Sequence, residues 1–157
     1  MSKGTPATAL LAKEKVAHSL HTYEVDADTP NYGAVVAEAL GADPGRVFKT
    51  LVTEVDGVLT VAIVPVTGDV DLKALAAAAG GKRAAIADRD LAERTTGYVR
   101  GGISPLGQRK RLPTVLDASA LDGELIFVSA GKRGLQVRLA PQDLVRLTGA
   151  TVAAIAR

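Results

Sequence analysis

The stretch from Val47 to Pro65, VFKTLVTEVDGVLTVAIVP, decides the fold. Two runs rich in β-branched residues, 47–54 and 58–65, flank the dipeptide Asp56-Gly57. Asp-Gly between two such runs is the strongest short-range signal for a β-hairpin. The sequence therefore predicts an antiparallel pair of strands in the first half of the chain.

The residues before this hairpin predict two helices and one strand. Thr5-Pro6 supplies an N-cap hydroxyl and a proline at the first helical position, and Gly41 is a typical helix stop. The predicted elements are a helix over 6–19, a strand over 21–25 and a helix over 31–40.

The residues after the hairpin predict a mixture of short helices and strands. Gly80-Gly81 ends an alanine-rich helix, and Gly131 to Gly134 forms a turn between two strands. The helices are predicted over 69–79, 89–95 and 141–147, and the strands over 83–87, 98–103, 114–117, 124–129, 135–139 and 151–155. Because strands and helices do not alternate regularly, the pattern favours an α+β fold with a mixed, mostly antiparallel sheet.

Length and composition limit the function. A chain of 157 residues suits one domain, taken as residues 1–157. The absence of cysteine excludes disulfides, thiolate metal sites and a cysteine nucleophile. With no Trp, three Tyr and two Phe, a base-stacking platform for RNA is not expected.

Charge and hydropathy give further expectations. The formal net charge of +2 is too small to indicate non-specific DNA binding. A membrane helix needs roughly 18–20 consecutive apolar residues, and no stretch of the sequence approaches that length. We therefore expect a cytoplasmic protein without a membrane partner. His18 and His21 lack an accompanying metal-ligand pattern, so neither a metal site nor a cofactor is expected.

Two features in the sequence have both a structural and a functional interpretation. Gly101-Gly102 either forms a tight turn that needs positive φ, or aims successive N–H groups at a substrate oxygen. Lys49 either extends its ammonium group to solvent from a core strand or points it into a pocket. The following loop, 102–107, matches neither a nucleophile elbow nor a phosphate-binding P-loop.

Several motifs together resemble those of a known family. They are VFKTL (47–51), TGY (96–98), GGISPLG (101–107) and VSAGKRG (128–134), with HTY (21–23) and APQDL (140–144) nearer the ends. In this combination and order, the chain resembles the YbaK/EbsC family of Cys-tRNA(Pro) deacylases, which are related to the editing domain of bacterial prolyl-tRNA synthetases. The resemblance implies a twisted, partly barrel-like sheet flanked by helices.

The resemblance also implies roles for individual residues. Lys49 matches the functional lysine of the family and Gly101 the loop whose backbone meets the substrate; these two are the catalytic candidates. The implied substrate-binding residues are Tyr23, Tyr32, Gly33, Thr50, Gly102 and Ser129. The basic residues Arg109, Lys110, Lys132 and Arg133 are the implied contacts for the tRNA acceptor stem, although a solvated loop is the alternative for such a cluster.

The implied activity is hydrolysis of mischarged Cys-tRNA(Pro), with the acceptor end of tRNA(Pro) as partner and prolyl-tRNA synthetase as a candidate third component. Because no nucleophile–base pair stands out in the sequence, we expect the substrate's own thiol to attack the ester. Two alternatives stay open: another substrate such as Ala-tRNA(Pro), and a non-catalytic module that binds tRNA or a synthetase.

Overall fold

The hairpin predicted around Asp56-Gly57 forms the centre of the larger of two sheets. The structure is a computed structural model that describes residues 4–26 and 29–157. Strands β2 (Phe48–Val55) and β3 (Val58–Pro65) pair antiparallel, with Lys49 opposite Val64. Asp56 and Gly57 both have positive φ, as a tight hairpin turn requires.

The other elements follow the predicted order with shifted ends. The helices are α1 (Pro6–Lys13), α2 (Tyr32–Leu40), α3 (Leu72–Ala78), α4 (Arg89–Thr96) and α5 (Pro141–Thr148), with 3₁₀ turns at Pro44–Arg46 and Ala118–Asp122. The remaining strands are β1 (His18–Thr22), β4 (Ala84–Ile86), β5 (Thr114–Asp117), β6 (Ile126–Lys132), β7 (Leu135–Leu139) and β8 (Thr151–Ala153).

Two sheets carry the described strands. The larger has the order β4-β2-β3-β5-β8, in which β3, β5 and β8 run parallel and the other pairs antiparallel. The smaller has the order β1-β7-β6 and is antiparallel. A parallel bridge between Val47 and Phe127 joins the two sheets without closing a barrel among these strands. This confirms the predicted α+β class and the mixed, mostly antiparallel pairing.

Strand β3 is buried on both faces, which explains its continuous apolar run. Val61 and Ile63 belong to the main core, with residues of the smaller sheet and of helices α1 and α5. Ala62 and Val64 face the other way and pack with Leu75 of α3. Because successive side chains of a strand point to opposite faces, the two cores on either side of β3 account for the unbroken apolar run from Val61 to Val64.

Two predicted elements near the site were wrong. Helix α1 ends at Lys13 rather than Ser19, because Lys15 adopts φ +55° and turns the chain into β1. The predicted strand over 98–103 is instead a loop that contains a tight turn from Val99 to Gly102. The Gly102 N–H donates to the carbonyl of Val99 at 2.9 Å, and Gly101 has φ +87°.

Candidate active site

A cleft of about 790 Å³ opens where the two sheets meet. Helix α2, strand β2, helix α4, the loop after α4 and the β6–β7 hairpin all contribute to its walls. Of the predicted site residues, those that line it are Tyr32, Gly33, Lys49, Thr50, Gly101, Ser129 and Arg133. The fold therefore brings together residues that lie up to a hundred positions apart in the chain.

Lys49 reaches the cleft from the second position of β2. Its ammonium nitrogen lies 3.1 Å from Oδ1 of Asp69, whose side chain is 76% exposed. The Lys49 side chain is one-third exposed, so it combines the two sequence interpretations: it lines the cleft and its end meets solvent. An exposed ion pair of this kind is weak, so an anionic substrate group can compete with Asp69.

Gly101 also lines the cleft, at the third position of the turn from Val99 to Gly102. A positive φ at this position is the signature of a type II turn and favours glycine. The Gly101 N–H has no hydrogen-bond partner within residues 4–26 and 29–157. It is thus a free backbone donor in the wall of the cleft.

Gly102 has a different environment from that expected for a substrate-binding residue. Its N–H is used inside the turn, and a Cβ at this position would lie 2.7 Å from Cα of Lys132. Gly102 is buried and does not line the cleft. The lack of a side chain at Gly102 therefore permits the loop to pack on the β6–β7 hairpin. Of the two glycines, only Gly101 presents a free N–H.

Arg133 covers the Gly101 turn from the β6–β7 hairpin. A Cβ on Gly101 would lie 2.5 Å from Nε of Arg133. The guanidinium also affects Tyr32, whose pKa is raised mainly by burial and by the hydrogen bond to Tyr23, while the Arg133 charge opposes the rise. Arg133, an exposed residue, therefore places a positive charge at the wall of the cleft, next to Gly101.

The two tyrosines form a hydroxyl pair at the α2 side. The oxygen atoms of Tyr23 and Tyr32 are 3.3 Å apart. Tyr23 is buried, and its backbone N–H donates to the carbonyl of Gly134. Tyr23 does not line the cleft, but its hydroxyl contacts that of Tyr32, which does. A tyrosine hydroxyl is already protonated at neutral pH, and the raised pKa of Tyr32 keeps it protonated further into the alkaline range.

Ser129 lies opposite Gln136 in the β6–β7 pair, and both line the cleft. The Ser129 hydroxyl accepts a hydrogen bond from the Gly131 N–H at 3.2 Å, and no base contacts it among the described residues. Oε1 of Gln136 and Oγ1 of Thr50 are buried without a partner in that part of the chain. The described residues therefore do not activate Ser129 as a nucleophile.

Gln136 lines the cleft but was not predicted from the sequence. A glutamine between Leu135 and Val137 in a predicted strand was the available signal. Gly33 lets α2 approach Val66, because a Cβ there would lie 2.7 Å from the Val66 Cβ.

The basic residues separate into two groups. Arg133 lines the cleft together with Arg89 and Arg100, which sequence reasoning missed. Arg109 lies at the end of α4, where its N–H donates to the Thr96 carbonyl at 2.8 Å. Lys110 and Lys132 are also absent from the walls of the cleft.

The residues that the structure describes contain no cluster of His, Cys, Asp or Glu suited to a metal ion. In the same residues, no helix has the length and apolar character needed to cross a membrane. The arrangement offers Lys49 and three arginines, one free N–H and several hydroxyl groups. These groups can orient an ester and stabilise an oxyanion.

Comparison with known proteins identifies the class to which this fold and cleft belong. A family model for the aminoacyl-tRNA editing domain matches residues 27–147. The chain belongs to the aminoacyl-tRNA editing domain family.

A curated relative and two solved structures are similar to the chain. The relative is the "Putative Cys-tRNA(Pro)/Cys-tRNA(Cys) deacylase EbsC" of Enterococcus faecalis, 46% identical over 121 residues that cover 76% of this chain and 74% of the relative. A crystal structure described as a "putative trans-editing enzyme for prolyl tRNA synthetase" has a TM-score of 0.86, 24% identity and 99% coverage of both chains.

The second structure, a scaffold for computational grafting of linear epitopes, has a TM-score of 0.85 and 23% identity, with 97% of this chain and 95% of the scaffold covered. At these identities the two structures establish the fold alone.

Proposed function

We propose that the chain is a trans-editing deacylase that hydrolyses the ester of mischarged Cys-tRNA(Pro). The observation that carries the proposal is that Lys49 and the free N–H of Gly101 line one cleft. A cation and a backbone donor are the groups that stabilise the oxyanion formed when an ester is attacked. Membership of the editing-domain family and 46% identity to the EbsC relative support the same activity.

The proposed mechanism uses the substrate's thiol as nucleophile. The cysteinyl sulfur attacks its own carbonyl carbon, and the sulfur–carbon bond forms as the bond to the 3′ oxygen of the tRNA breaks. The thiol proton passes to that oxygen, which leaves free tRNA and a cysteine thiolactone that water opens. The chain has no cysteine, and none of the described residues is a base in contact with Ser129, so substrate assistance agrees with the side chains present.

The need for such an enzyme follows from the limits of size discrimination. Cysteine and proline are similar in size, and a hydrophobic pocket separates such substrates by only about 1–3 kcal/mol. A second site must then remove the wrong amino acid. We propose that residues 1–157 act as one editing unit in the cytoplasm and that prolyl-tRNA synthetase supplies the selection of tRNA(Pro).

Two alternative functions make different demands on the same cleft. A deacylase for Ala-tRNA(Pro) has the same cleft and needs a protein-activated water in place of the thiol. A non-catalytic module that binds tRNA or a synthetase needs the arginines of the cleft but neither Lys49 nor a free N–H at Gly101. The presence of both groups favours an enzyme.

The test is release of labelled cysteine from Cys-tRNA(Pro) by the wild type and by Lys49→Ala. Lys73→Ala, which removes an exposed lysine from α3, is the matched control. We expect the control to match the wild type and Lys49→Ala to lose at least about 100-fold, the effect of removing one oxyanion donor in other enzymes. No release by the wild type, with tRNA binding intact, would favour the binding module.

A further inference from the structure

The turn that carries Gly101 is hydrogen-bonded to a carboxylate that has no role in the proposed mechanism. Oε2 of Glu93, in α4, accepts a hydrogen bond from the backbone N–H of Arg100 at 2.8 Å. The Glu93 side chain is one-quarter exposed and lines the cleft. A bond from a backbone N–H to a carboxylate is charge-assisted, and such bonds are stronger than neutral ones.

Three consecutive N–H groups in this turn differ in their hydrogen bonding. The Arg100 N–H donates to Glu93, and the Gly102 N–H donates to the Val99 carbonyl. The N–H between them, that of Gly101, has no partner among the residues described. The two outer bonds hold the peptide planes 99–100 and 101–102. These planes flank the Arg100–Gly101 peptide that carries the free N–H, and so they restrict its direction.

We propose that Glu93 is a positioning residue that aims the Gly101 N–H at the substrate oxygen. The proposal rests on the proposed deacylase function. Glu93 acts through the backbone and need not touch the substrate, so its loss lowers the rate of the chemical step more than it weakens binding. Misplacing a catalytic group by about 1 Å can cost about 100-fold in rate.

The contact with Arg89 is secondary. Nε of Arg89 lies 3.8 Å from the same Oε2, one helical turn away, and its side chain is 63% exposed. An exposed i, i+4 pair contributes little, so the role of Glu93 rests on its hydrogen bond with the Arg100 N–H rather than on the pair with Arg89. Glutamine at this position keeps an acceptor oxygen and removes the charge.

The experiment compares Glu93→Ala and Glu93→Gln with the wild type on Cys-tRNA(Pro). Asp90→Ala removes an exposed carboxylate from the same helix and is the control. We expect Glu93→Ala to lower kcat roughly 10- to 100-fold with KM changed less than about twofold. Glu93→Gln should recover most of kcat, and Asp90→Ala should match the wild type.

Three results would overturn the proposal: an unchanged kcat in Glu93→Ala, a change in KM alone, or a Gln variant as impaired as the Ala variant. Thermal unfolding of each variant identifies a loss of activity that comes from unfolding.

Amide hydrogen exchange gives a readout that needs no substrate. The Arg100 N–H should lose protection in Glu93→Ala and keep it in Glu93→Gln, and equal protection in both would contradict the assignment. An inactive wild type with this exchange pattern would defeat the proposed function while leaving the support of the turn by Glu93 intact.

Discussion

The ammonium nitrogen of Lys49 lies 3.1 Å from a carboxylate oxygen of Asp69, so the cation at one wall of the cleft already has a partner. Asp69 is itself fixed by the end of the chain, because its backbone exchanges two hydrogen bonds with Arg157. A substrate that uses Lys49 must compete with this carboxylate.

Asp69→Asn should therefore tighten substrate binding. An exposed ion pair is worth at most about 1 kcal/mol, so KM for Cys-tRNA(Pro) should fall by up to about fivefold with kcat unchanged. Glu38→Gln, which neutralises an exposed carboxylate on α2, is the control in the same steady-state assay. A rise in KM would mean that Asp69 holds Lys49 in its working position rather than competing for it.

Gly101→Ala should abolish activity at a modest cost in stability. An L-residue at φ +87° costs about 1–2 kcal/mol, and the new Cβ would displace Arg133. Gly57 has φ +83° with open space around it, so Gly57→Ala carries the same backbone strain away from the cleft. Urea unfolding should show similar losses for both variants, and deacylation should fail only in Gly101→Ala. Equal activity in the two would remove Gly101 from the site.

The basic residues should differ in their contribution to tRNA binding. Arg133→Ala should raise KM and reduce the slope of log KM against log salt by about one, because one phosphate contact is lost. Arg109→Ala should have a smaller effect, since Arg109 lies at the end of α4 outside the cleft. Measurements of KM across a salt series separate the two. A larger effect at Arg109 would place the acceptor stem on that side of the molecule.

Tyr98 anchors the start of the Gly101 loop, and it gives a pH-dependent prediction. Its hydroxyl donates to the Leu106 carbonyl at 2.7 Å, and burial raises the pKa of Tyr98 to about 12 from about 10. Folding favours the protonated phenol, so Tyr98 contributes its full stabilisation below about pH 10. That contribution to the free energy of unfolding is lost as the pH rises towards 12.

The free energy of unfolding should therefore fall between about pH 10 and 12, and the fall should be shallower in Tyr98→Phe. At pH 7 that variant should lose about 1 kcal/mol with its hydrogen bond. Urea unfolding at pH 7 and 11 measures both effects. A parallel pH dependence in the two proteins would assign the fall to other groups, among them Tyr32, whose pKa is also raised.

The sequence predicted local structure better than the arrangement of the site. The Asp56-Gly57 hairpin was predictable because turn chemistry and β-branched runs act over a few residues. The turn at Gly101 was not, because Tyr98, Val99 and Ile103 have the composition of a strand. Its conformation depends on a long-range contact, the close packing of Gly102 on Lys132.

The same limit applies to the residues of the cleft. Resemblance predicted Lys49 and Gly101, and the structure places both in the cleft. Glu93 and Gln136 were missed because their importance comes from partners, or a missing partner, that only the folded chain defines. Charge clustering alone could not separate Arg133, in the cleft, from Arg109 at a helix end.

The most direct test of the account compares Cys-, Ser-, Ala- and Pro-tRNA(Pro) as substrates of the wild type. Serine differs from cysteine in one atom, and its hydroxyl is a far weaker nucleophile than a thiol. We expect rapid loss of cysteine only. Equally rapid loss of serine or alanine would contradict thiol-assisted attack while keeping the editing role, and loss of none of the four would contradict the deacylase function itself.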